Sequence, residues 1–173
     1  VIPVPRGGGT VDLIITDTEF NTPTPELVSK VQEAIDPIPF KQKGVGIAPI
    51  GHHVLVFGAK RKAIDITCNV IISNGADIEE IKKEIKEKIE EYFASVRKVW
   101  ADYSNPNLVN VVEIYSDNDI RLAKIMSIVL NAQNVVDYSE IKFTSSDLKI
   151  FVLERDEIPY LGVLNIVGVS IWN

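Results

Sequence analysis

Asp77-Ile78-Glu79-Glu80-Ile81-Lys82-Lys83-Glu84-Ile85-Lys86-Glu87-Lys88-Ile89-Glu90-Glu91-Tyr92-Phe93-Ala94-Ser95-Val96 is the stretch that decides the fold. Ile78, Ile81, Ile85, Ile89, Phe93 and Val96 recur at three- and four-residue spacing. That spacing lines them along one face of an α-helix and leaves the charged residues on the other. Asp77 stands at the N-cap, Glu80 completes a capping-box pattern, and Glu79–Lys83 and Glu84–Lys88 pairs support the outer face. Burying each isoleucine contributes roughly 1.5–3 kcal/mol. A stripe this strong needs an apolar layer beneath it.

The preceding residues supply one. Ile64-Asp65-Ile66-Thr67-Cys68-Asn69-Val70 alternates, and the strand predicted over 63–73 carries Ile64, Ile66, Cys68 and Val70 on one face. A strand over 53–57 comes before it, joined as a hairpin through Gly58-Ala59-Lys60-Arg61. Further upstream, 10–16 is a β-branched strand. Thr24 and Pro25 then read as the N-cap and first position of a helix. Leu27, Val28, Val31 and Ile35 share its face, and Asp36-Pro37 ends it. Residues 37–51 form a long Pro/Gly arm, and 1–9, with Pro3, Pro5 and Gly7 to Gly9, a linker.

Asn105-Pro106, within 101–107, marks a boundary. Beyond it, Asp119 caps a helix near 120–130 in which Leu122, Ile125, Met126 and Val129 share a face. Strands over 134–143 and 149–153 pair around Thr144-Ser145-Ser146-Asp147, and a last strand near 161–167 follows Pro159; residues 110–115 are an alternative fourth strand for the first sheet. The expected class is α+β, as two small α+β units. The first is β-α-β-β-α, with two helices packed on an antiparallel sheet. The expected division is 1–9 linker, 10–103 first unit and 104–173 second unit.

Composition narrows the function. The chain has 173 residues, 46% of them apolar, enough for packed cores. Its formal charge of −6 argues against nonspecific nucleic-acid binding, which needs clustered cations on phosphate. Residues 1–100 hold 13 Lys/Arg and 14 Asp/Glu, and residues 101–173 hold 5 and 10. Cys68 is the only cysteine and reads as a small buried hydrophobe. No apolar run reaches membrane-span length and no signal-peptide pattern opens the sequence. A start at Val1 without methionine reads as a fragment or processed product.

Candidate chemistry is sparse. Gly7-Gly8-Gly9-Thr10 precedes a strand instead of opening a helix, so it lacks the amide ring that binds phosphate. His52 and His53 are adjacent and point to opposite faces of a strand, with no Cys or His at zinc-ligand spacing. Asp117-Asn118-Asp119 starts like a calcium loop but lacks its glycine and distal glutamate, and reads as turn and cap chemistry. Asp156-Glu157 stands in a polar turn, no serine has a Gly-x-Ser-x-Gly context, and Trp100 reads as core. Lys60-Arg61-Lys62 is a solvated hairpin tip or a contact for an acidic partner.

Taken in order, several stretches resemble the C-terminal portion of the baseplate J-like family, whose members include tail proteins of phage Mu and of PBSX-type prophages. They are Gly9-Thr10-Val11, the helix ending Ile35-Asp36-Pro37, and the arm Gly44-Val45-Gly46-Ile47-Ala48-Pro49-Ile50-Gly51. After these come 64–70, the long Ile/Glu/Lys helix, Ile120-Arg121-Leu122-Ala123-Lys124-Ile125, Val135-Val136-Asp137-Tyr138 and Ile158-Pro159-Tyr160-Leu161-Gly162. Gly8 stands where the family usually has proline, which loosens that joint. The resemblance implies a structural part of a contractile-tail baseplate wedge, assembled in the bacterial cytoplasm. It implies partners among other baseplate and tail proteins and copies of itself, with no nucleic acid, membrane, metal, cofactor or catalytic site. Lys41, Lys43, Ile47, Pro49, Lys60, Arg61 and Lys62 are the candidate subunit-contact residues. The alternative is a regulatory α+β module of ACT-like kind that binds a small molecule.

Overall fold

The structure, a computed structural model, describes residues 1–3, 5–102 and 119–170. Helices and sheets are mixed, as in an α+β chain. The first nine residues do more than link. β1 (Ile2–Pro3) lies antiparallel to β2 (Thr10–Ile15), pairing Ile2 with Asp12 and Pro3 with Val11. Proline is tolerated because β1 is an edge strand. The Thr10 hydroxyl donates to the Gly7 carbonyl at 2.6 Å, and Arg6 pairs with Asp12, which together close the turn.

α1 (Pro25–Ile35) starts as its sequence dictates. Pro25 opens it and Thr24 Oγ1 accepts from the Leu27 amide at 3.3 Å. Its face of Leu27, Val28, Val31 and Ile35 is half-buried, and α1 rests on β3 (His53–Gly58). β3 runs parallel to β2, with Thr10 beside His53 and Ile15 beside Gly58. The first sheet is therefore a β-α-β crossover with β1 added, in the order β1-β2-β3.

The expected hairpin between 53–57 and 63–73 is corrected. β4 (Lys60–Ile72) lies in a different sheet from β3. Ala59 alone connects them and is fully buried. Its amide donates to the Ile15 carbonyl at 2.8 Å, and the next amide, of Lys60, donates to the Asp156 carbonyl at 2.6 Å. Successive amides thus bind different sheets, and one residue is too short to reverse the chain.

β4 is the middle of the second sheet. β6 (Val135–Phe143) flanks it antiparallel, and β8 (Glu157–Ser170) flanks it parallel, in the order β6-β4-β8. α2 (Ile78–Asp102) begins with Asp77 Oδ1 accepting from the Glu79 amide at 2.8 Å. It buries Ile81, Ile85, Ile89, Phe93 and Val96 against Ile64, Ile66, Cys68 and Val70. On the outer face Lys88 pairs with Glu84 as expected, whereas Glu79 pairs with Lys82 at 2.8 Å instead of Lys83.

Three further expectations change. Asp119 does not cap the next helix, because β5 (Ile120–Arg121) intervenes, antiparallel to β7 (Ile150–Phe151). The Leu122 amide donates to the Lys149 carbonyl at 2.9 Å, and α3 (Leu122–Leu130) starts there. The strands expected to pair with each other, 134–143 and 149–153, take other partners: β6 pairs with β4 and β7 with β5, and the isolated bridge from Phe143 to Ser146 closes the turn after β6. The last strand begins at Glu157, ahead of Pro159.

The core also crosses the expected boundary. Leu122, Ile125, Val129, Ile141, Phe143 and Ile166 join the same apolar cluster as β4 and α2, so elements on both sides of residues 103 and 104 share one sheet and one core. Residues 103–118, including the alternative strand 110–115 and Asp117-Asn118, lie outside the described residues. A second, small cluster of Ile14, Ala59 and Ile158, with Trp100 and Tyr160 against it, joins the two sheets.

Candidate subunit-contact surfaces

The arm after α1 is held by a polar staple. Asp36, only 2% exposed, accepts from the Gln42 amide through Oδ1 at 2.9 Å and from the Val54 amide through Oδ2 at 3.0 Å. Gln32 works beside it. Its Nε2 donates to the carbonyls of Asp36 at 2.8 Å and Val54 at 3.1 Å, and its Oε1 accepts from the Val56 amide at 2.9 Å. Buried polar groups persist only when paired in this way. Neither residue is visible in the sequence as more than a helix position and a helix stop.

The arm then folds back onto the end of the helix. The Ile47 and Ala48 amides donate to the Ala34 and Ile35 carbonyls at 3.1 and 2.8 Å, satisfying groups that a helix end leaves open. Gly46 permits the approach, because a Cβ there would stand 2.5 Å from the Ile35 carbonyl oxygen. Ala48 is buried, while Val45, Ile47 and Ile50 are 62%, 74% and 79% exposed. Ile38 and Phe40 are exposed as well. The arm is thus a tied-down loop that presents large apolar side chains to solvent.

The candidate contact residues divide between the two sheets' units. Lys41 is half-buried, and Lys43, Ile47 and Pro49 are exposed on the arm, with the Lys43 ammonium 5.9 Å from the Phe40 ring. Lys60, Arg61 and Lys62 instead open β4, each engaged within the chain. Lys60 meets Asp156 at 2.6 Å, and that carboxylate holds its ammonium above the usual lysine range. Lys62 meets Glu157 at 3.1 Å, and the Arg61 guanidinium lies 3.9 Å from the centre of the Tyr160 ring. Arg97 lies 4.6 Å from that ring and donates to the Pro159 carbonyl at 2.9 Å. The Tyr160 hydroxyl donates to Asn21 Oδ1 at 3.0 Å and accepts from the Thr22 amide at 3.4 Å, spanning from one unit to the other. Sequence reading placed Tyr160 only within the resemblance.

The remaining candidate chemistry is dispersed. Cys68 is fully buried, and burial pushes its thiol up to about 12. His52 is exposed and His53 half-buried, its amide donating to the Gly9 carbonyl at 2.8 Å. Among the described residues, no three His, Cys, Asp or Glu gather as a metal would require. An open groove of about 330 Å³ between α2 and α3 is lined by Tyr92, Val96, Asp119, Arg121, Ala123 and Lys124. Burial raises the Tyr92 phenol, whose oxygen accepts from the Arg121 amide at 3.3 Å. No helix among the described residues is long and apolar enough to cross a membrane.

The two sheets meet through Ala59 and Tyr160, and the arm holds apolar side chains out in solvent. The chain belongs to the baseplate J-like family: the family's central domain matches residues 1–58 and its C-terminal domain residues 64–167. The interval between the two matches contains Ala59, where the chain passes from one sheet to the other. The chain is 33% identical over 167 residues to the phage-like element PBSX protein XkdT of Bacillus subtilis strain 168, covering 96% of this chain and 42% of that protein. It matches the uncharacterized protein YqbT of the same strain to the same extent. The chain thus spans 42% of the length of these relatives.

Proposed function

We propose that the chain is a structural component of the baseplate of a contractile phage, a prophage or a tail-like particle. It works by protein–protein contacts in the baseplate wedge, with other baseplate and tail proteins and with copies of itself, and carries out no catalysis. It is assembled in the bacterial cytoplasm and stays in the particle. The observation that carries this reading is the match of both family domains, in order, across the chain. The arm adds physical support, since Val45, Ile47 and Ile50 are held in solvent by a buried staple that orders them before any partner arrives. Ordering a contact loop in advance lowers the entropy lost on binding.

Negative-stain images of particles from a strain lacking this segment test the proposal. Absent or incomplete baseplates are expected. Complete baseplates of normal shape would overturn it.

A further inference from the structure

One face of the β6-β4-β8 sheet is packed by α2 and α3, and the other is open. The register aligns Thr67, Asn69 and Ile71 of β4 with Asn165, Val167 and Val169 of β8 on one side, and with Lys142, Glu140 and Asp137 of β6 on the other. Val163, Val167 and Val169 are 68%, 48% and 61% exposed. The β8 edge of the open face therefore carries three exposed valines, and the β6 edge two acids and one lysine. Lys142 is the cation of its β6 row and pairs with Glu140 at 3.0 Å. Arg61, at the far end, lies over Tyr160. Asp65 is occupied by the Val163 amide at 2.7 Å.

The arm has the complementary chemistry. Ile38, Phe40, Val45, Ile47 and Ile50 are exposed, Lys41 and Lys43 stand among them, and the sequence holds no Asp or Glu from residue 37 to 64. We propose that the open face of the β6-β4-β8 sheet receives the arm, residues 38–51, of a second copy of the chain. Valines meet the arm's isoleucines, while the β6 row, with one acid in excess over Lys142, faces Lys41 and Lys43. Both surfaces are exposed in the single chain, so its own arm does not fill its own face. An arm-to-face contact joins two different patches. It is heterologous, and it repeats around a ring or along a filament. The proposal rests on the reading of the chain as an assembly component and names one of its contacts.

Light scattering on three purified proteins tests it: the unaltered chain, an arm variant carrying Ile47→Asp and Ile50→Asp, and a face variant carrying Val167→Lys and Val169→Lys. All four positions are exposed, so unchanged far-UV circular dichroism is expected. If a variant loses that signal, Ile47→Ser with Ile50→Ser and Val167→Thr with Val169→Thr pose the same question more gently. At roughly 100 µM, above the micromolar Kd suited to a small interface, the unaltered chain should exceed its 19.2 kDa mass at least twofold. Each variant alone should remain a single chain. Their equal mixture should recover a two-chain mass and no more, because one intact arm meets one intact face. A single-chain mass for the unaltered protein, or a mixture that fails to complement, would overturn the contact. Either outcome leaves the baseplate reading to the particle images.

Discussion

At the scale of single residues, Asp36 is the position where side-chain chemistry most clearly shapes the surface. A carboxylate at the C-terminal end of α1 meets the unfavourable end of the helix dipole. What holds it there is the pair of amide donors from Gln42 and Val54. Asp36→Ala strands those donors and should cost about 2–6 kcal/mol, at roughly 1–3 kcal/mol per buried unpaired group; Asp36→Asn, which keeps one acceptor, should cost less. Urea unfolding measures both, and equal losses would contradict the two-acceptor account. An aspartate at the wrong end of a helix was the one available clue to the staple, and the proline after it masked that clue as a stop signal. Cys68 gives a pH prediction. Its thiol ionises near 9.0 when unfolded and is pushed up to about 12 in the fold. The unfolded chain therefore releases the proton first, and stability falls as pH rises from about 9 towards 12, with no contribution below. A thiol reagent at pH 8 should react with Cys68 only after denaturant is added, and Cys68→Ala should flatten the alkaline slope.

At the scale of elements, local pattern was most legible where one face alone decides. The α2 stripe and the Thr24-Pro25 start of α1 were readable because periodicity and caps are set within a turn or two. The Asp119 cap misled for a related reason. The two residues after it are claimed by pairing with Ile150 and Phe151, some thirty positions away, and no local signal announces that. The arm was legible as a glycine-punctuated loop, but its attachment was not, since amides of Ile47 and Ala48 reach α1 through backbone groups that every residue shares. Gly46→Ala tests that attachment. Its added Cβ would collide with the Ile35 carbonyl, so the arm should lift while the sheets remain. Limited proteolysis within 44–51 should quicken several-fold with only a small change in melting temperature, and an unchanged cleavage rate would count against the contact.

For the whole molecule, sheet membership was the least legible property. The pairing of β4 with β8 joins Lys60 to Glu157 and Ile72 to Ser170, across nearly a hundred residues, and alternation records which face is buried but not which strand lies alongside. Hence β3 and β4 read as a hairpin although they belong to different sheets. The units are also fastened by Tyr160, whose ring lies beside Arg61 and Arg97 and whose hydroxyl reaches Asn21 and Thr22. Tyr160→Phe should cost about 0.5–1.5 kcal/mol through the lost hydrogen bonds. Tyr160→Ala also removes two cation–π contacts of roughly 0.5–1 kcal/mol each and the ring packing, and should split the calorimetric transition in two. One sharp transition at the original temperature would show that the fastening is of no consequence.

The single buried residue between the sheets, Ala59, has a mechanical corollary. Tension applied to the first sheet enters β4 at its leading end and runs along the strand axis, where parallel β8 resists from Lys60 to Ile72. Rungs strained in that direction share the force together instead of peeling one after another. A jolt at one end of the chain should therefore travel to the other as movement of a rod, without stretching the connection.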